Sequence, residues 1–262
     1  SPVSARPNTY LEKFPSHYNR LPNNTIRRRM LKKLEGIFTR HKYKAGTFLL
    51  LNAASAVCII MVIARILYSD SYRYLGLVWN LFLAWIPFML AYFAYMLSWR
   101  RILIFLVIPA FAFLWLIFFP NAPYILTDLQ HLSQESNAVP LWYDVILLVW
   151  FSWTGMLMGV VSLYLMQEII KRNFGRFMAW VFVIIVAGLT NVGVYIGRFV
   201  RLNSWDILQD PAGFATDIWS WLSDPSWRSV GFIALYTLFF IFVYLTLYAF
   251  GHILQEQVEK TQ

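Results

Sequence analysis

Two short stretches of this chain contain most of the side chains that could bind a ligand or react. The first reads FPNAPYILTDLQH, followed after a few residues by LWYD, and the second reads GVYIGRFVRLNSWD. We predict that the two stretches contact each other, because each follows a long apolar segment at the same predicted membrane level. The candidate ligand-binding residues are Asn121, Tyr124, Thr127, Asp128, His131, Trp142, Asp144, Arg198, Arg201, Asn203, Ser204, Trp205 and Asp206.

Arg198 and Arg201 are three residues apart, so on a helix they lie on one face. Two guanidinium groups would suit a phosphate, a carboxylate or a lipid headgroup. Alternatively, the arginines pair with Asp128, Asp144 or Asp206 and hold two loops together. Both interpretations apply if one arginine is paired and the other is not. We predict that Arg198, which is nearer the apolar segment, is held by the protein and that Arg201 meets the ligand.

Asp128 and His131 are also three residues apart, and with Asp144 or Asp206 they could ligate a divalent metal. The pattern is weak, because the chain has no HExxH pair and no set of cysteine ligands. We therefore predict no metal and no cofactor.

His131 is the only histidine expected on this side of the membrane, which makes it the obvious general base near neutral pH. The hydroxyls of Thr127, Ser152, Thr154 and Ser204 are possible nucleophiles. None of them lies in a GxSxG or SxxK motif. Hydrolase chemistry would require His131 to reach a hydroxyl on the other stretch.

The composition indicates a membrane protein, since 59% of the 262 residues are hydrophobic and only 13% are charged. A soluble domain has about 25% charged residues. Each apolar block is close to the length that a membrane-spanning helix needs, and the alternating polarity of a β-barrel is not seen. The only cysteine, Cys58, is predicted to be a small buried apolar residue. The apolar blocks cover 47–68, 74–96, 102–119, 145–170, 177–196 and 230–250.

The loop charges predict the orientation. With both termini in the cytoplasm, 17 basic residues lie inside and four outside, as the positive-inside rule requires. Arg65, near the outer end of the first span, is expected to snorkel to the boundary. The net charge of +9 comes largely from eleven basic residues in 1–45, a pattern that favours contact with the inner leaflet over nucleic acid.

The predicted fold is an all-α bundle of about six transmembrane helices in the region 47–251. Residues 1–46 form a basic cytoplasmic extension whose amphipathic helix begins near Asn24 or Thr25 and lies on lipid or docks a partner. Residues 252–262 form a cytoplasmic tail, and the outer loops are 120–144 and 197–229. In the second loop, Asp210 and Pro211 indicate the start of a short interfacial helix.

Two pairs of glycines have the spacing that allows helices to approach closely: Gly155 with Gly159, and Gly193 with Gly197. The alternative is a flexible backbone that lines a pathway. Polar residues near the predicted span centres are few and include Asn80, Thr154 and Asn191. No Asp, Glu, Lys or His lies there, which argues against an ion pump or a proton-coupled transporter.

The strings FPNAPYILTDLQHL, WYD, FSWTG and GVYIGRFVRLNSWD resemble the bacterial membrane proteins grouped as domain of unknown function 1361. The resemblance covers about 74–252 and leaves out the basic extension. It implies a multi-pass protein of the bacterial plasma (inner) membrane and implies no substrate.

We predict a binding or assembly protein whose outer face recognises a polar or anionic group. The expected partners are membrane lipids or a membrane protein in a larger complex. One alternative is an enzyme acting on a lipid-linked or phosphorylated substrate, with His131 or Asp128 as base and Arg198 and Arg201 holding the anion. Another is a passive channel or facilitator, which would need a continuous polar path past Asn80, Thr154 and Asn191.

Overall fold

The computed structural model describes residues 24–98, 101–133, 139–201 and 209–261. Every regular element within these residues is helical, which confirms the all-α class. A 3₁₀ helix, Ile125–Ser133, follows α4, and a π-helical turn, Ile196–Val200, follows α5. The α-helices in chain order are α1 Asn24–Ser69, α2 Leu75–Leu97, α3 Arg101–Phe118, α4 Asn121–Tyr124, α5 Leu141–Tyr195, α6 Pro211–Ser223 and α7 Trp227–Thr261.

Five segments of the described chain are long and apolar enough to cross a membrane. The longest covers 60 residues and is interrupted at Gly175, whose φ of 89° is not helical. Two arms of α5 therefore account for the fourth and fifth predicted spans, and the prediction of about six spans is confirmed. The segments are Gly46–Ser69, Leu75–Leu97, Ile108–Leu132, Leu141–Val200 and Trp227–Leu254.

The stretch that follows α3 differs from the prediction. The end of the apolar block at Phe119 predicts an outer loop from residue 120, but α4 and the 3₁₀ helix extend the apolar helical segment to Leu132, with Ala122 and Ile125 fully buried. Glycines of α5 make room for it. A Cβ on Gly155 would lie 2.7 Å from the Ala122 carbonyl oxygen, and a Cβ on Gly193 would lie 2.6 Å from Pro120 Cγ. The packing role predicted for these two glycines is confirmed.

The chain divides into two compact units, Ser1–Leu50 and Leu51–Gln262, and the core and the candidate site described below belong to the second. Its core has two apolar clusters along α5. One joins α2, α3 and α7 around Trp115, Phe119 and Phe240. The other joins the end of α1, α2 and the 3₁₀ helix around Phe88 and Phe151. Because both clusters include α5, this helix positions the elements on either side of it.

The two helix starts predicted at Asn24 or Thr25 and at Asp210 differ in how far the structure describes them. The residues before Asn24 and the side chains of the amphipathic stretch lie outside the described residues, so the first N-cap stays a prediction. Helix α6 begins at Pro211, and the Asp210 carboxylate accepts a hydrogen bond of 2.9 Å from the Gly213 amide. This is the predicted N-cap. Cys58, as predicted, is fully buried.

Candidate functional site

The two predicted stretches meet at the guanidinium of Arg198, in the π-helical turn. Its Nη1 donates to Asp128 Oδ1 at 2.9 Å and to the Tyr124 hydroxyl at 3.2 Å. Its Nη2 donates to the Thr127 carbonyl oxygen at 3.2 Å. The Arg198 side chain is only 9% exposed. The predicted ion pair between Arg198 and an acid of the first stretch is thus present, with Asp128 as the partner.

Two more residues of the 3₁₀ helix complete the surroundings of Arg198. His131 Nε2 lies 3.2 Å from Nη2, and Gln130 accepts from Nε and Nη2 when its amide oxygen faces the guanidinium. We call Tyr124, Thr127, Asp128, Gln130, His131 and Arg198 the Arg198 cluster. Protein acceptors therefore surround this guanidinium.

His131 links the cluster to its exterior, because its side chain is 40% exposed. A guanidinium can only donate hydrogen bonds, so Nε2 faces Arg198 as the acceptor. Nε2 is 3.6 Å from Asp128 Oδ1, which is longer than a hydrogen bond. In the neutral ring the proton is then assigned to Nδ1, which makes that nitrogen a hydrogen-bond donor.

Neighbouring residues that the sequence analysis did not place in the site hold Asp128 and His131. Asn80 Nδ2 of α2 donates to the second carboxylate oxygen of Asp128 at 2.9 Å. Arg73 donates to the His131 carbonyl oxygen at 2.7 Å. Asn80 could have been found, since a lone amide within an apolar span needs a polar partner.

A second ion pair lies nearby and involves Asp144, a predicted ligand-binding residue. Arg65 of α1 donates from Nε to Oδ1 at 2.7 Å and from Nη2 to Oδ2 at 3.1 Å. Both side chains are buried, with exposures of 1% and 8%. The expectation that Arg65 snorkels to the boundary is therefore wrong, because Asp144 provides a buried counter-charge. We call this the Arg65–Asp144 pair.

Two tyrosines pack beside the Arg65–Asp144 pair. The Arg65 guanidinium carbon lies 4.6 Å from the centroid of the Tyr74 ring, and the Tyr143 hydroxyl donates to the Met61 carbonyl oxygen at 2.8 Å. Burial, together with the nearby Asp144 carboxylate, raises the pKa of the Tyr74 hydroxyl above its ordinary value. These contacts tie α1 to the start of α5.

Arg201 differs from Arg198 in exposure, in backbone conformation and in ion pairing. It is exposed, and its φ of 66° places it in the left-handed region just after the π-helical turn. A residue other than glycine rarely adopts this conformation. Within the described part of the chain, Arg201 makes no ion pair. Its guanidinium is therefore exposed and has no counter-charge among the described residues.

Of the remaining predicted residues, the structure describes Trp142 and Asn121. Trp142 is exposed and packs edge-on against Tyr143. Asn121 donates to the Phe118 carbonyl oxygen at 2.9 Å. Asn203, Ser204, Trp205 and Asp206 lie outside the described residues.

The three described hydroxyls that were weighed as nucleophiles donate to backbone carbonyls. Thr127 bonds to Tyr124, Ser152 to Ile125 and Thr154 to Trp150. Among the residues described, no group of three or more His, Cys, Asp or Glu side chains could hold a metal ion. Asp144, one of the possible metal ligands, instead binds Arg65.

The fold and the apolar segments define a multi-pass helical membrane protein. The family model described as a protein of unknown function (DUF1361) matches residues 79–244, and the chain belongs to this family. The match includes the Arg198 cluster and excludes Arg65. No curated protein and no solved structure is detectably similar to the chain.

Proposed function

We propose that this protein is a binding or assembly protein of the bacterial plasma (inner) membrane that recognises an anionic group at its outer face. Arg201 meets the group, and the Arg198 cluster holds the turn that presents Arg201. A lipid headgroup, a small anion or an acidic loop of a membrane-protein partner all carry suitable chemistry.

The proposed orientation rests on charge. Placing both termini in the cytoplasm leaves the Arg198 cluster outside and assigns most basic residues to the inner side, as membrane proteins generally do. Arg176 then lies at the inner end of the bundle, next to the break at Gly175. This exposed arginine is a useful control, since it resembles Arg201 in type and exposure.

The observation that carries the proposal is the unequal use of two neighbouring arginines. Arg198 is almost buried, and acceptors from the protein engage its donors. Three residues later, Arg201 is exposed in a backbone conformation that is costly for arginine. Holding one guanidinium rigidly while exposing the next is an arrangement suited to binding.

The contacts of His131 favour recognition over catalysis. With Nε2 facing Arg198, the Nδ1–H of a neutral ring can donate to an anion but cannot accept a proton. This arrangement does not favour the enzyme alternative with His131 as the base, and in the form with Asp128 as the base the carboxylate is already engaged by Arg198 and Asn80.

The facilitator alternative needs polar residues that line a path. Asn80, Thr154 and Asn191 instead bond to Asp128, Trp150 and Ala187, respectively. Thr154 and Asn191 are also buried among apolar residues. These contacts favour a packed interior over a conducting one.

The test compares purified Arg201→Ala with the native protein and with Arg176→Ala. The probes are inorganic phosphate, titrated calorimetrically, and phosphatidylglycerol, counted as bound lipid by native mass spectrometry. A basic residue at a membrane surface contributes about 1 kcal/mol toward anionic lipid. We therefore expect Arg201→Ala to lower the affinity for the probe about fivefold, with Tm unchanged. Arg176→Ala should bind the probe as the native protein does. Native binding of neither probe, or unchanged binding by Arg201→Ala, would overturn the proposal.

A further inference from the structure

We infer that Arg201 and Arg228 together bind the phosphate of a lipid headgroup. The inference rests on the proposed function, for which it names the class of ligand and a second binding residue. Arg228 lies in the first turn of α7, far from Arg201 in sequence and outside the stretches that first indicated a site.

Aromatic packing brings the two arginines to the same region. Phe199 of the π-helical turn packs edge-on against Phe232 of α7, with ring centroids 5.2 Å apart. Tyr195 also contacts Phe232, at 5.8 Å. Arg228 precedes Phe232 by four residues and so lies on the same face of α7. Arg201 follows Phe199 by two residues. The Phe199–Phe232 contact therefore places two guanidinium-bearing residues beside one aromatic junction.

Both guanidiniums are available to a ligand. Arg201 and Arg228 are exposed, and neither forms an ion pair with any residue that the structure describes. Asp224 is the acid that precedes Arg228 along the chain, and it too is exposed and outside salt-bridge distance of it. Two like charges at one junction, without a counter-charge among the described residues, repel each other, and an anion between them removes that repulsion.

The surroundings favour a lipid as the source of the anion. Trp227, adjacent to Arg228, is 89% exposed, and Phe199 and Trp219 are exposed as well. Exposed aromatic side chains at the end of a spanning helix lie at headgroup level. A guanidinium matches two oxygens of a phosphate, and two guanidiniums match the charge of a phosphate monoester better than that of a diester.

The experiment measures binding to phosphatidic acid, phosphatidylglycerol and phosphatidylcholine in mixed micelles, and to inorganic phosphate in lipid-free detergent. The variants are Arg201→Ala, Arg228→Ala, the double variant and Arg176→Ala as the matched control. We expect Arg201→Ala and Arg228→Ala each to lower the affinity for phosphatidic acid about fivefold. The double variant should lower it about 25-fold if the two free-energy changes add. Phosphatidylglycerol should bind less tightly than phosphatidic acid, and inorganic phosphate about tenfold less tightly. Arg228→Gln serves as a second substitution if the alanine variant elutes as an aggregate.

The outcomes separate this inference from the proposed function. If Arg201→Ala weakens binding while Arg228→Ala and Arg228→Gln behave as Arg176→Ala, the paired site is overturned and the proposed function stands. Equal affinity for inorganic phosphate and phosphatidic acid would overturn the lipid source alone. If neither arginine affects any anion, the inference and the proposed function both fail.

Discussion

Two carboxylates in this bundle are buried beside an arginine, yet their surroundings differ. Asp144 receives two bonds from Arg65, and both side chains are almost completely enclosed. Asp128 shares Arg198 with several other acceptors and lies next to His131, whose side chain is 40% exposed. The Arg65–Asp144 pair is closed, whereas the Arg198 cluster opens to the exterior through His131.

The difference indicates that burial of a charge pair does not by itself mark a binding site. A closed pair is enclosed away from any ligand and connects α1 to α5. An open cluster connects the 3₁₀ helix to the π-helical turn and presents His131 and Arg201 beside it. Four substitutions test this division between the two acids, and they are given from the largest expected effect to the smallest.

Arg65→Met should destabilise the protein most, by about 3–5 kcal/mol, because it leaves the Asp144 carboxylate buried without its counter-charge. The measurement is thermal unfolding of the purified protein, followed by tryptophan fluorescence. The double variant Arg65→Met with Asp144→Leu should recover most of the loss, since no buried charge remains. If the double variant is no more stable than the single one, the pair is not the cause of the loss.

Arg198→Met should cost less, about 2–3 kcal/mol, because Asp128 keeps its bond from Asn80 and remains close to His131. The same unfolding measurement applies, with Arg201→Ala as the control that should leave Tm unchanged. A loss equal to that of Arg65→Met would show that the Arg198 cluster is as closed as the Arg65–Asp144 pair, contrary to the comparison.

Gly155→Ala should destabilise by about 1–3 kcal/mol, because its Cβ would lie too close to the Ala122 backbone and force α4 outward. Since α4 leads into the 3₁₀ helix, anion binding should weaken as well. Gly188→Ala in the same helix is the control, as its Cβ meets nothing within 4 Å. Alanine is favoured over glycine in a helix, so this control should be as stable as the native protein or slightly more so. Equal losses in both variants would contradict close packing at Gly155.

His131→Phe should have the smallest effect on stability, about 0.5–1.5 kcal/mol, the usual contribution of one hydrogen bond. Its effect on lipid binding should be larger than its effect on stability, because the phenyl ring lacks the Nδ1–H donor. Unfolding and phosphatidylglycerol binding are measured on the same preparation. A variant that loses stability and binds the lipid as the native protein does would remove His131 from the site and assign it a purely structural role.

Part of the site was predictable from the sequence. Arg198 lies at the end of an apolar segment, where an unpaired charge is costly. The acids of the first stretch are its expected partners, because they have the opposite charge and lie at the same predicted membrane level. Arg65 was misjudged because it also stands near the end of a span, where snorkelling is the usual solution. Choosing between snorkelling and pairing requires knowing which acid packs beside α1, and no local pattern contains that information.

The sequence by itself determined the class of the protein and its helices. Long apolar blocks in lipid must satisfy their backbone hydrogen bonds internally and so become helices, and Asp210 with Pro211 is sufficient to begin α6. Only the tertiary structure decided that 120–133 enters the bundle, that Asp144 pairs with Arg65 and Asp128 with Arg198, and that Phe232 of α7 packs against Phe199 of the π-helical turn. Helix formation depends on residues a few positions apart, whereas the two ion pairs join residues 70 or more positions apart along the chain. The close packing at Gly155 and Gly193 and the aromatic contacts between the π-helical turn and α7 determine which of these distant residues meet.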